Sequence, residues 1–162
     1  PGFNFFKEED IRKLSKNYFL GELDVIFRYA HEKGIVVCLE NVPFTFSFFH
    51  QINDFPKIKE KLALNICYDV GHSLISRNQK DMKSVEDSII EELTNYGMDV
   101  IHVHLHNNYG STDNHLLYSG ILDIKRLLGA LRQAGFKGRI IIESEDVETY
   151  GIEYLLRWLN SE

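Results

Sequence analysis

Apolar positions along this chain follow two periods. Four short runs, Ile35 to Leu39, Leu64 to Tyr68, Val100 to Leu105 and Arg139 to Ile142, are dense in aliphatic residues and bounded by turn or polar residues. Runs of that length read as buried strands, not helices. Between them the pattern lengthens to a helical period. Leu20 to Lys33 carries Leu23, Ile26, Phe27 and Ala30 and stops at Gly34. Val85 to Tyr96 carries Ile89, Ile90 and Leu93 and stops at Gly97, and Ile124 to Ala134 carries Leu127, Leu128 and Leu131 and stops at Gly135. A glycine just past each helix predicts a left-handed C-cap that turns the chain into the next strand. Asp123 is placed to N-cap the helix that follows it. A last helix is expected around Tyr150 to Leu159. The segment from Phe44 to Leu62, with Phe44, Phe46, Phe48, Phe49 and Pro56, reads as a loop and then a short helix, its phenylalanines serving packing or a subunit contact.

Strands alternating with helices predict right-handed βαβ units and a parallel sheet. No linker divides the chain, so residues 1–162 read as one α/β domain. In such proteins the loops after the C-terminal strand ends carry the site. Those ends here are Glu40-Asn41, Asp69 followed by Gly71-His72, the series His102, His104 and His106, and Glu143-Ser144-Glu145. Residues two apart share a strand face. Glu40 therefore lies with Cys38 and Val36, Asp69 with Cys67, and Glu143 with Ile141. The three histidines lie together, opposite Ile101, Val103 and Leu105. Leu39, Val37, Ile66, Ile140 and Ile142 are left to pack against helices. The polar ends can thus converge on one point, inside a barrel or over a sheet edge.

Carboxylates brought that close beside an imidazole repel one another unless a cation sits between them. A mostly oxygen ligand set with one nitrogen suits Mn²⁺, Mg²⁺ or Co²⁺ and accepts Zn²⁺. Of the remaining histidines, His102 and His106 read as interior residues with polar partners, and His31 and His50 as surface residues.

The strand-end series Glu40-Asn41, Asp69-Val70-Gly71-His72, His104-Leu105-His106-Asn107, Asp113-Asn114-His115 and Glu143-Ser144 resembles the xylose-isomerase-like TIM barrels, a superfamily that includes sugar phosphate isomerases and epimerases and the AP endonuclease family 2, or endonuclease IV, group. The resemblance implies a (β/α)8 barrel of which this chain supplies about half, its strands resembling the fifth to the eighth. It implies one divalent metal (Mn, Co, Mg or Zn) held by Glu40, Asp69, His104 and Glu143, with Glu40 and Glu143 as the catalytic proton carriers. His72, Asp113 and His115 match positions that bind substrate or an additional metal. Family members often carry His-Pro-Gly after the fourth strand, and this chain begins Pro1-Gly2, so the other half-barrel is expected in a preceding segment or a second copy. The Gly-x-Gly that often follows Asp-x-His is reduced here to Ser119-Gly120.

Composition narrows the function. The formal charge is -6, whereas nucleic-acid binders carry a basic excess or stripe. Lys57, Lys59 and Lys61 read as a solvated helix face. Cys38 and Cys67, without a CxxC neighbour, read as buried reduced thiols of a cytoplasmic protein. No apolar stretch is long enough for a membrane span. The expectation is a metal-dependent isomerase or epimerase acting on a small sugar or sugar phosphate. The alternatives are a zinc-dependent phosphodiester hydrolase of the endonuclease IV kind and an inactive half-barrel.

Overall fold

The computed structural model describes residues 8–43, 49, 52–55, 58, 62, 65–77, 82–97 and 99–161. Its elements are α1 (Glu8–Glu32), β1 (Cys38–Glu40), a 3-10 turn (Ile52–Asp54), β2 (Asn65–Asp69), α2 (Val70–Ile75), α3 (Met82–Tyr96), β3 (Val100–Leu105), α4 (Ile124–Gln133), β4 (Arg139–Ile142), α5 (Glu145–Tyr150) and α6 (Ile152–Asn160). The strands form one parallel sheet in the order β1-β2-β3-β4. Helix α3 buries Val85, Ile89 and Leu93, and α4 buries Ile124, Leu127 and Leu131. These stripes join Ile66, Tyr68, Val100, Val103 and Leu105 of the sheet in one core. Phe49 is buried there too, its ring 6.1 Å from that of Phe55, so this phenylalanine serves packing. Phe44, Phe46, Phe48, His50, Lys57, Lys59, Lys61 and Pro1-Gly2 lie outside the described residues.

The register between β2 and β3 decides what the sheet displays. Ile66 pairs with Val100, but Cys67 pairs with His102, so Ile101 is passed over. A one-residue slip of this kind exchanges the two faces of everything beyond it. Because of the slip Asp69 stands opposite His104; an unshifted register would have set Asp69 opposite Val103 and turned the histidines into the helix-packed core. Val100, not Ile101, joins Val103 and Leu105 in that core, correcting the simple alternation. A Cβ at Gly138 would lie 2.2 Å from the Ile101 carbonyl oxygen, so glycine leaves room for the bulged backbone.

Other expectations shift for local reasons. Helix α1 begins at Glu8, since no proline or glycine interrupts Glu8 to Leu20. Its Ile26 is exposed, not core-facing. Strand β1 starts only at Cys38, the first residue with a partner on β2, and Ile35 and Val36 stay exposed. The segment after Asp69 is helix α2, not a loop, because the Asp69 side chain caps it. The expected last helix is α6, and it is preceded by the short α5, which Ser144 caps and Gly151 at φ +79° separates from it. Gly34 and Gly135 take the left-handed conformation, but Gly97 does not. Its missing Cβ instead avoids Leu93 O at 2.5 Å and Ala134 Cβ at 3.0 Å. Asp123 caps α4 by accepting from Arg126 N at 3.0 Å. Cys67 is buried, while Cys38 is only partly so; both are free thiols. His31 is exposed as expected.

Strands β1 and β4 are the edges of the described sheet. Ile140 and Ile141 of β4 are exposed, so Ile140 does not pack against helices as the pattern suggested. The flanking helices likewise expose Val25 and Tyr29 of α1 and Ile152 and Leu156 of α6. Among the described residues no helix is long and apolar enough to cross a membrane.

Beneath the sheet, Tyr68 donates to Glu92 Oε2 at 2.8 Å, and Arg77 Nη2 meets the same oxygen at 2.5 Å. Arg77 Nη1 also donates to Ser73 O at 2.8 Å, tying α2 to α3. A buried carboxylate needs both donors, and a hydrogen bond to a charged group contributes roughly 1.5–3 kcal/mol. Tyr68→Phe is expected to destabilise the chain by about that amount, read as a lower urea midpoint at unchanged slope.

Candidate metal centre

Four strand ends meet at His104. Its Nδ1 lies 3.3 Å from Glu40 Oε1, 3.1 Å from Glu143 Oε1 and 3.8 Å from Asp69 Oδ2. The sheet register brings them there. Asp69 is paired with His104, and Glu40 with Cys67 one layer below. Glu143 follows β4 directly, with its N–H donating to Leu105 O at 3.3 Å. Three acidic side chains and one imidazole thus surround a small space, as the alternation predicted.

Asp69 is the most constrained of the four. It is fully buried. Its N–H donates to Asn41 Oδ1 at 2.8 Å, and its carbonyl accepts from Asn41 Nδ2 at 2.9 Å. The carboxylate is divided in use. Oδ1 accepts from His72 N at 2.7 Å, which caps α2, and from His106 Nε2 at 3.0 Å. Oδ2 is buried without a hydrogen-bond partner, and so is His104 Nδ1. Two buried orphan atoms facing each other within a ring of carboxylates are the signature expected where a cation completes the site. Bonds of about 2.0–2.2 Å to a common ion put tetrahedral ligand atoms roughly 3.3–3.6 Å apart, close to the spacings here. The donor set fits a divalent metal.

His72, Asp113 and His115 gather beside this quartet. His72 Nε2 is 3.2 Å from Asp113 Oδ2, and His115 Nε2 is 3.7 Å from the same oxygen. His72 Nδ1 lies 2.9 Å from Asn41 O. The ring is thus oriented from both sides, by the Asn41 carbonyl at Nδ1 and the Asp113 carboxylate at Nε2. The loop carrying Asp113 and His115 is closed by Asn107 and Leu116, which bond each other's backbones in both directions. It is tied to the N-terminus of α5 by Glu145 N donating to His115 O at 2.9 Å and by Leu117 N donating to Asp146 Oδ2 at 3.0 Å. In place of a Gly-x-Gly, Gly120 at φ +122° clears the Asn107 side chain, which a Cβ would meet at 2.5 Å. All seven residues expected at the site are therefore brought together.

Sequence reasoning undervalued His106 and Asn41. His106 is fully buried on Asp69, its ring 4.3 Å from that of His115 and nearly parallel to it. The His-x-His series placed it on the right face, but nothing in the pattern distinguished a site partner from a core histidine. Burial disfavours the charged His106 ring, yet the bond and charge of Asp69, with Asp113 behind it, raise its pKa above the ordinary value. Burial also raises Glu40, helped by Asp69 and Glu143 and opposed by His104 and His72. Cys67 lies within 4.8 Å of Glu40 and His104, but burial pushes its thiol up to about 12, and the acidic neighbours add to this, so it stays protonated there.

Comparison with known proteins agrees with this architecture. A family model described as Xylose isomerase-like TIM barrel matches residues 4–162. An uncharacterized protein of Methanocaldococcus jannaschii, MJ1311, is 29% identical over 130 residues, which cover 77% of this chain and 42% of that protein. The crystal structure of a D-tagatose 3-epimerase-like protein is 26% identical with a TM-score of 0.71, over 94% of this chain and 58% of its own. The IOLI protein, solved with a zinc atom, is 18% identical with a TM-score of 0.62, over 96% of this chain and 56% of its own. The chain thus spans about half the length of the relatives it matches.

Two predictions follow from the geometry. A Cβ at Gly71 would sit 2.0–2.4 Å from the His106 ring, so Gly71→Ala is expected to cost about 1–3 kcal/mol by overpacking, measured by urea unfolding. Because Glu40's folded pKa is raised, the metal-free fold holds its proton more tightly than the unfolded chain. The stability Glu40 contributes is present at acid pH and lost as pH rises through the raised value. Glu40→Gln should therefore melt higher than the parent chain in chelator at pH 7, with the gap closing on acidification.

Proposed function

The chain belongs to the xylose isomerase-like TIM barrel family, and from that premise we propose that it carries the metal and catalytic residues of a sugar or sugar phosphate isomerase or epimerase. The observation behind this reading is the facing pair of orphan atoms, Asp69 Oδ2 and His104 Nδ1, between the carboxylates of Glu40 and Glu143. One divalent ion, Mn²⁺, Co²⁺, Mg²⁺ or Zn²⁺, held by these four residues would supply Lewis-acid polarisation of a substrate carbonyl. The D-tagatose 3-epimerase-like neighbour supports the sugar class.

Glu40 and Glu143 reach the centre from opposite edges of the sheet. One carboxylate takes the proton from the carbon beside the carbonyl, and the C–H electron pair moves toward the carbonyl oxygen. The other carboxylate returns a proton. Return to the opposite face of the same carbon inverts that centre; return to the neighbouring carbon, with the hydroxyl proton passing to the former carbonyl oxygen, exchanges aldose and ketose. His72, Asp113 and His115 line the neighbouring space and bind substrate hydroxyl or phosphate oxygens. Activity requires the open edges at β1 and β4 to be covered by the other half of a barrel or by a second copy.

A second reading has its own observation. Asp113 Oδ2 lies 3.2 Å from His72 Nε2 and 3.7 Å from His115 Nε2, and Asp113 and His115 also stand at ligand spacing with His106. More than one metal would then serve phosphodiester hydrolysis, although the charge of -6 argues against a nucleic-acid substrate.

The test is proton exchange. The chain loaded with Mn²⁺ or Co²⁺ is incubated with ketoses and their phosphates in D₂O and followed by NMR. Deuterium should enter the carbon beside the carbonyl, stop on chelation, and slow by about 10²–10⁴ in Glu143→Gln. Exchange indifferent to chelator and to Glu143→Gln would contradict the proposal. Cleavage of abasic-site DNA with two or more zinc ions per chain would favour the second reading.

A further inference from the structure

His106 has no assigned part in proton transfer, yet it is fully buried between Asp69 of the quartet and the neighbouring Asp113 and His115. Its Nε2 is 3.0 Å from Asp69 Oδ1 and 3.7 Å from Asp113 Oδ1. Its ring stacks on His115 at 4.3 Å and meets His72 edge-on at 5.7 Å. The space it occupies is kept clear by Gly71, where any Cβ would strike the ring atoms. Packing alone would be met by any apolar ring of that size. What a hydrocarbon ring could not do is occupy Asp69 Oδ1. With Oδ1 taken by His106 Nε2 and His72 N, only Oδ2 is left unpartnered toward His104.

We propose that His106 is the positioning residue of the metal centre, holding Asp69 so that a single oxygen, Oδ2, is presented to the ion. The proposal rests on the metal reading given above. Without His106, Oδ1 is held by the His72 N–H alone, and the carboxylate can tilt to offer both oxygens, which changes coordination number and loosens binding. Partners that orient a ligand in this way typically alter metal affinity by about 10–100-fold when removed.

The experiment compares the parent chain with His106→Phe and His106→Gln, using Co²⁺ alone as the probe. Affinity is read by titration, coordination by the visible d–d bands, and folding by the urea midpoint of the metal-free chain. His106→Phe keeps a ring beside Gly71 but removes the donor, and is expected to bind Co²⁺ about 10–100-fold more weakly with altered bands. His106→Gln restores an N–H donor at similar reach and should recover most of the affinity and the parent spectrum. A role in packing alone reverses that order, with phenylalanine preserving the site and glutamine losing it. His106→Phe with parent affinity and parent bands would overturn the proposal and leave the metal reading intact. A folded parent chain that binds no Co²⁺ would overturn the metal reading, and this proposal with it.

Discussion

The fixed carboxylate of Asp69 is the constraint on which the rest of the site depends. It is fully buried, in a place where an ionised group is tolerated only with its oxygens accounted for. Asn41 grips its backbone from β1, His72 N and His106 Nε2 occupy one carboxylate oxygen, and the other is left facing His104. The same side chain starts helix α2 and so carries His72 to its station. Fold and chemistry are therefore joined at one residue. The capping bond that ends β2 also decides which oxygen an ion would meet.

A second constraint lies in the sheet. Side-chain period makes a parallel ladder all-or-nothing: Asp69 either faces the three histidines or faces the valine and leucine between them. The passed-over Ile101, accommodated by Gly138, selects the first arrangement. From there outward the loop to Leu116 and the N-terminus of α5 brace each other through His115 O and Asp146. The second cluster of polar groups is therefore held against the first and does not sit on a free loop.

Much of this was legible in the chain. The strands Val100 to Leu105 and Arg139 to Ile142 stand where their β-branched runs put them, because those runs are bounded by glycine or polar residues on both sides. The identity of the quartet was legible too, since carboxylates and imidazoles at four successive strand ends have few other uses. What was not legible involved partners distant in sequence. The bulge at Ile101 exists only against β2, the clearance at Gly97 only against Ala134, and the need for Gly71 only against His106. His106 itself looked like its neighbour His102, since a buried histidine reveals its task only through the atom it bonds. The exposed Ile140 and Ile26 show the same limit from the other direction. Their apolar character is plain in the pattern, but the four described strands leave them uncovered.

The central claim is that four strand ends form one ion site around His104. The most direct measurement is anomalous diffraction from crystals of the chain grown with Co²⁺. A peak is expected about 2.0–2.2 Å from His104 Nδ1 and Asp69 Oδ2, with carboxylate oxygens of Glu40 and Glu143 completing the shell. A Co²⁺ peak bound elsewhere, with these four side chains hydrogen-bonded among themselves or to water, would contradict it.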